Sequence, residues 1–150
     1  MICVVDASVA VKWFVPESRL ALEDHVDRAL DLLGAATRGQ VDLLVPAHFL
    51  AEVAAVLARI SPVNAQADLE DLTLLDLAWA APERAMPRAV ALAQALNHHL
   101  FDTLYHALAL DTPGAVLVTA DRRYYDKARH LGQIEWLADW PSAVLKPART

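Results

Sequence analysis

Two uninterrupted apolar runs constrain this chain more than any other feature: ICVV at residues 2–5 and AVLVTA at 115–120. Both are short, rich in β-branched residues and free of the apolar–polar alternation of a half-exposed strand. Such strands need cover on both faces, which is the situation of a parallel sheet between layers of helix. Each run also stops on a carboxylate, Asp6 after the first and Asp121 after the second. In a parallel sheet the strands end on one side, and ligands bind outside those carboxyl ends near the point where strand order reverses.

The segments between the runs read mostly as helices. Residues 18–37 place Leu22, Val26, Ala29, Leu30 and Leu33 on one stripe, with Gly39 as a stop. Residues 42–49 read as a second strand ended by Pro46. Residues 48–60 form a strong helix with Phe49, Val53, Val56, Leu57 and Ile60 inward. Residues 64–77 complete a helical hairpin that protrudes as a small lobe, and 78–87 read as a connection. Helices follow at 88–97 and 102–110, then a basic helix at 121–132 and a last strand at 134–140. Strands alternating with helices predict one α/β domain over residues 1–150, with a mostly parallel central sheet flanked by helices and a loosely packed tail after about 141.

Composition narrows the class of function. An apolar fraction of 56% argues against disorder and leaves room for an interface. A net charge of −6 argues against binding nucleic acid through bulk charge, so contact with a polyanion needs local cations or metal. Cys3 is the single cysteine, which excludes an internal disulfide or a multi-cysteine zinc site and fits a reducing compartment. The N-terminus lacks a basic region leading into a cleavable apolar segment, and no stretch is long and apolar enough to span a membrane. The expected location is cytoplasmic.

Four acids stand where a site would form: Asp6, Glu52, Asp102 and Asp121. Taken singly, Asp6, Asp102 and Asp121 each read as the N-cap of a following helix, and Glu52 as a solvated edge residue. Taken together they are four carboxylates near one sheet edge, whose mutual repulsion and desolvation a divalent cation relieves. Oxygen ligands without cysteine favour Mg²⁺ or Mn²⁺ over zinc, and carboxylate-held Mg²⁺ is the equipment of phosphodiester hydrolysis.

From VVDASVAVKWF through LAEVAAVLAR and FDTLYHALAL to VTADRRYYDKA, the chain resembles PIN-domain ribonucleases of the VapC toxin type. The ordered set of four motifs carries the resemblance. It implies a PIN-like three-layer sandwich and Mg²⁺- or Mn²⁺-dependent endoribonuclease activity. Asp6, Asp102 and Asp121 would hold the ion, with Glu52 on a second ion or orienting the attacking water. Ser8 and Thr119 fall on the family's small hydroxyl positions and are expected to support those ligands or the phosphate. The resemblance further implies a VapB-like antitoxin that occludes the site, a homodimer, and an RNA substrate of tRNA, rRNA or mRNA class. An inactive PIN-fold module that binds protein or RNA is the alternative. A haloacid-dehalogenase-like phosphotransferase is disfavoured, because it needs a second aspartate where Ser8 stands.

Lys12, Arg122, Arg123 and Lys127 are candidate RNA contacts, and Arg129 adds to the basic helix. Trp13, Trp79, Trp136 and Trp140 read as core or interface rather than base-stacking platforms. His99, Asp102 and His106 form a rival transition-metal pattern at helical spacing, with His98 beside it. Leu69, Leu72, Leu74, Leu75 and Leu77 fit either a partner groove or the core.

Overall fold

The computed structural model describes residues 1–141, so the expectation of a loose tail after residue 141 lies outside the described residues. Five strands form one sheet: β1 (Ile2–Val5), β2 (Asp42–Val45), β3 (Leu77–Trp79), β4 (Ala115–Thr119) and β5 (Ile134–Trp136). Their order is β3-β2-β1-β4-β5, and every neighbouring pair is parallel. The central strand β1 sets Cys3 opposite Leu43 on one side and Val116 on the other. Helices α1 (Ala7–Ala10), α2 (Val26–Thr37), α3 (Phe49–Ile60), α4 (Ala65–Thr73), α5 (Met86–Leu96), α6 (Leu100–Leu110) and α7 (Arg122–Ala128) flank it. The architecture is the expected three-layer sandwich. Val4, Val5, Val45, Leu117 and Val118 are buried within the sheet, as their unbroken apolar runs require.

Strand order reverses at β1. The chain moves from β1 outward to β2 and β3, then crosses back through α5 and α6 to enter β4 on the other side of β1. The carboxyl ends of β1 and β4 therefore meet at the switch point, where an α/β sheet opens a crevice.

The predicted helix over 18–37 is broken. A 3₁₀ turn covers Glu17–Leu22, the chain is extended at Glu23, and α2 begins only after His25, whose φ is 59°. The break has a tertiary cause. The Lys12 ammonium is buried and donates to Glu23 Oε2 at 3.2 Å and to the Asp24 carbonyl at 2.8 Å, drawing that segment out of helical register. The buried stripe becomes Ala29, Leu32 and Ala35, while Leu22 and Leu30 face outward. The predicted stop at Gly39 is present. With φ of +70°, Gly39 lets its own N–H reach Ala36 O and the Gln40 N–H reach Ala35 O, the pair of bonds that closes a Schellman motif.

Residues 77–79, expected to lie at a helix end and in a connection, form β3 instead. The helix of the hairpin stops at Thr73, and Leu77–Trp79 pairs with Leu43–Val45. Three residues are too few for strand periodicity to show in a sequence. The last strand is likewise shorter than expected, with a 3₁₀ turn over Leu137–Asp139.

Helix α6 is the most deeply buried helix, with every residue from Thr103 to Ala109 buried. It lies against β1 and β4, with α5 along its other side. The Thr103 hydroxyl ties the two helices, 2.9 Å from the Ala89 carbonyl. Replacing Thr103 with alanine should lower stability by about 1 kcal/mol, the net worth of one buried hydrogen bond. Chemical denaturation of both proteins checks this, with an unchanged denaturant slope expected.

Candidate active site

The main chain of β1 runs one residue beyond the strand, the Asp6 N–H bonding Val118 O of β4. Asp6 then caps α1, its Oδ1 accepting the Ser8 N–H at 3.0 Å. The cap is real and leaves half the carboxylate for other work. Oδ2 accepts the Thr119 hydroxyl at 2.9 Å, across the sheet. Asp121 likewise caps α7, with Oδ1 accepting the Tyr124 N–H at 3.0 Å. For Asp6 and Asp121 the helix-cap and site readings are compatible, because a carboxylate has two oxygens; Asp102 is not a cap, since α6 begins at Leu100 with His99 at its N-cap.

The hydroxyls of Ser8 and Thr119 lock the two strand ends together. Ser8 Oγ accepts the Ala120 N–H at 3.1 Å, and Thr119 Oγ1 accepts the Asp121 N–H at 3.0 Å while donating to Asp6. Neither residue merely decorates the site, since their bonds place Asp6 and Asp121 relative to one another.

Glu52 enters from the first turn of α3 and Asp102 from the first turn of α6. Asp6, Glu52, Asp102 and Asp121 line one cleft of about 350 Å³, together with Ala7, Ser8, Ala55 and Val56. Within it the tightest group is His98, Asp102 and Asp121, whose ligand atoms all lie within 4.8 Å of one another. Asp6 and Glu52 complete the rim outside that closest set.

Asp6 is 6% exposed, and burial pushes its carboxyl up to about 7. The bonds from Ser8 and Thr119 pull the other way, and the carboxylates of Asp102 and Glu52 push it further up. Glu52 is also raised by burial, opposed by the Tyr105 hydroxyl and by His48 and reinforced by Asp102. The anionic forms of Asp6 and Glu52 are both disfavoured here, even with His48 beside Glu52. A divalent cation bound by carboxylate oxygen is the group this donor set fits.

Tyr105 went unnoticed in the sequence. Its hydroxyl donates to Glu52 Oε2 at 2.6 Å, and its own pKa is driven up by burial and by Asp6. The signal was present, because Tyr105 lies three residues after Asp102 and shares its helix face. Tyr105→Phe should shift the acid limb of any Glu52-dependent rate to higher pH, because the lost O–H bond favours the ionised glutamate. A pH–rate profile of both proteins checks this, and an unmoved limb would remove Glu52 from the chemistry.

The rival histidine pattern does not assemble. His106 is buried, its Nε2–H donating to Gly132 O at 2.8 Å and its Nδ1 accepting from the Tyr124 hydroxyl at 2.9 Å. Both ring nitrogens are occupied, and burial lowers its pKa. His99 is exposed on extended backbone before α6. His98, four residues before Asp102, is the histidine that reaches the acids, 2.8 Å from Asp102 Oδ2.

The candidate RNA contacts separate. Lys12 is consumed by Glu23 and Asp24 and sits 9% exposed, which argues against a phosphate contact. Arg122 pairs with Asp126 and lies over the rings of Trp136 and Tyr125. Lys127 donates to the Asn97 carbonyl and faces His98. Arg123 is exposed and lines a second cleft with Asn97, His98 and His99, beside the acids. Of the leucines considered for a groove, Leu72 is buried and Leu74 is 83% exposed. Trp140 is core, Trp13 is half-buried with its N–H on the Ala29 carbonyl, and Trp79 is largely exposed.

Among the described residues, no helix is long and apolar enough to cross a membrane. Comparison with protein families matches the PIN domain over residues 3–130. No curated protein matches the chain significantly.

Proposed function

The chain belongs to the PIN domain family, whose members are generally metal-dependent nucleases, and on that premise we propose that it is an endoribonuclease of the VapC toxin type. One observation carries the reading: four carboxylates from four separate elements converge on one cleft at the switch point of a parallel sheet. The reading assigns the ion, Mg²⁺ or Mn²⁺, to Asp6, Asp102 and Asp121, with Glu52 at the rim. When bound, the cation supplies positive charge to the scissile phosphate and to the oxygen that leaves.

The protein's own groups do the rest. Thr119 and the Ser8 N–H hold the two oxygens of Asp6. The Tyr105 hydroxyl holds Glu52 Oε2, leaving Oε1 to take a proton from an attacking water, a role its raised pKa suits. Arg123 offers a cation for the neighbouring phosphate of the strand. Hydrolysis in this arrangement leaves 5′-phosphate and 3′-hydroxyl ends. The toxin role assigns a VapB-like antitoxin that occludes the cleft, a homodimeric and cytoplasmic protein, and a cellular RNA as target. Leu20, Leu22, Leu30 and Leu74, exposed by 45%, 75%, 47% and 83%, support surfaces for such partners.

Purified protein incubated with single-stranded RNA should cleave it with Mg²⁺ or Mn²⁺ and stop on addition of chelator. End analysis should find 5′-phosphates. Metal-independent cleavage points to a contaminating nuclease, and no cleavage with either ion favours the inactive interaction module.

A further inference from the structure

Lys127 is half-buried beside the tightest part of the acidic cleft. Its Nζ donates to the Asn97 carbonyl at 3.1 Å and lies 3.2 Å from Nδ1 of His98. The His98 side chain is 6% exposed, its ring 5.0 Å from that of Tyr124, and its main-chain N–H is held by Ala93 O. The imidazole is therefore fixed, with Nδ1 toward Lys127 and Nε2 toward Asp102 Oδ2 at 2.8 Å.

Donor counting decides what that ring presents. An ammonium has three donors and no lone pair, so the nitrogen facing it must be the acceptor. The single proton of neutral His98 is then on Nε2, and it is donated to Asp102. A lone pair at Nε2, which a metal would need, is absent in this tautomer. Although His98 has a ligand atom close to Asp102 and Asp121, it offers the cleft an N–H. The donor set left to a cation is oxygen alone, and Asp102 keeps Oδ1 for it.

Resting on the metal-centre reading above, we propose that Lys127, acting through His98, keeps the centre an all-oxygen site and thereby sets its preference for Mg²⁺ or Mn²⁺ over Zn²⁺. Imidazole nitrogen shifts a site toward zinc and its neighbours, whereas carboxylate oxygen alone suits harder ions. His98 is a positioning residue, orienting one oxygen of Asp102 as second partners of metal ligands do. Lys127 is a selectivity residue rather than a contact for RNA.

The test is calorimetric titration of the full chain with Mn²⁺ and with Zn²⁺. Lys127→Met removes the donor from Nδ1, lets the ring proton move there and frees the Nε2 lone pair. Zn²⁺ affinity relative to Mn²⁺ should rise about tenfold or more, and the gain should vanish in the Lys127→Met, His98→Gln double variant. His98→Gln alone, whose amide keeps a donor for Asp102, should hold Mn²⁺ within about threefold of wild type, whereas His98→Ala should lose about 10- to 100-fold. Nitrogen-15 spectra of the metal-free wild type should show the proton on Nε2. An unchanged Zn²⁺/Mn²⁺ ratio in Lys127→Met, the same gain in the double variant, or a proton on Nδ1 overturns the proposal. Failure of the underlying reading is separate: there, Asp102→Asn would bind both ions as wild type does.

Discussion

Asp6→Asn should reduce RNA cleavage about 10³-fold or more while leaving the fold intact and, without metal, more stable at pH 8. On the proposed reading, the loss follows from removing one anionic ligand from a centre whose cation would contribute several kcal/mol to the transition state, at 1.36 kcal/mol for each factor of ten. The gain follows from the environment of Asp6. Its carboxyl is buried, faces Asp102 and Glu52, and is pushed up to about 7, so ionising it in the folded protein is unfavourable. Asparagine is nearly isosteric and uncharged. Its carbonyl oxygen still accepts the Ser8 N–H, and its amide donates to Thr119 Oγ1, reversing the bond Thr119 now makes. A gain of about 1–3 kcal/mol is expected, a part of the full ionisation cost. Denaturation in chelator at pH 8 reads the stability, and cleavage in Mg²⁺ reads the activity. An active Asp6→Asn protein would remove the aspartate from the metal centre.

The second large effect is the pH dependence of the metal-free wild type. The folded-state pKa of Asp6 lies above its ordinary value of 3.8, so between pH 4 and 7 the folded protein binds more protons at this site than the unfolded chain. Stability linked to this group is therefore fully present below about pH 4, falls as pH rises toward 7 and is lost above it. Three units correspond to about 4 kcal/mol as an upper bound, and Glu52, also raised, acts in the same direction. Urea midpoints in chelator should fall from pH 5 to pH 8. Saturating Mn²⁺ should recover about 3 kcal/mol at pH 8 when present at a hundred times its dissociation constant. Asp6→Asn should flatten the profile and lose most of the recovery. A wild-type midpoint that rises across this range would show that Asp6 is ionised at no cost, and the reading of a charge-deficient centre would fail.

The two effects share a cause. The protein holds Asp6 by bonds from Ser8 and Thr119 that favour its anion, yet surrounds it with burial and two further carboxylates that oppose it. Burial is the larger influence. On the proposed reading, the site spends folding stability to keep a carboxylate where a cation would bind, a strain expected at functional positions rather than in the scaffold.

The features legible in the sequence are those set by neighbours along the chain. The runs at 2–5 and 115–120 show two-sided burial without reference to anything distant, because an unbroken apolar strand has no face to give to water. Parallel pairing then sends Asp6 and Asp121 to one edge. The stop at Gly39 was equally local, since a left-handed residue closing a helix is a property of glycine itself. Glu52 and Asp102 were reached as acids on helices expected to pack near that edge, and the order of the four motifs fell on the same residues.

Only the tertiary structure decided which charges were free and which histidine mattered. Lys12 looks like a surface cation in its own segment, and burial against Glu23 and Asp24, eleven and twelve residues away, makes it structural. Helical spacing grouped His99 with His106, but α6 begins at Leu100, so His99 lies outside its phase and His98 reaches Asp102 from the link between α5 and α6. Lys127 meets His98 across 29 residues of chain. Strand and cap signals are carried by adjacent residues, whereas the ionisation, tautomer and partners of a side chain depend on contacts that exist only once the sheet is wound.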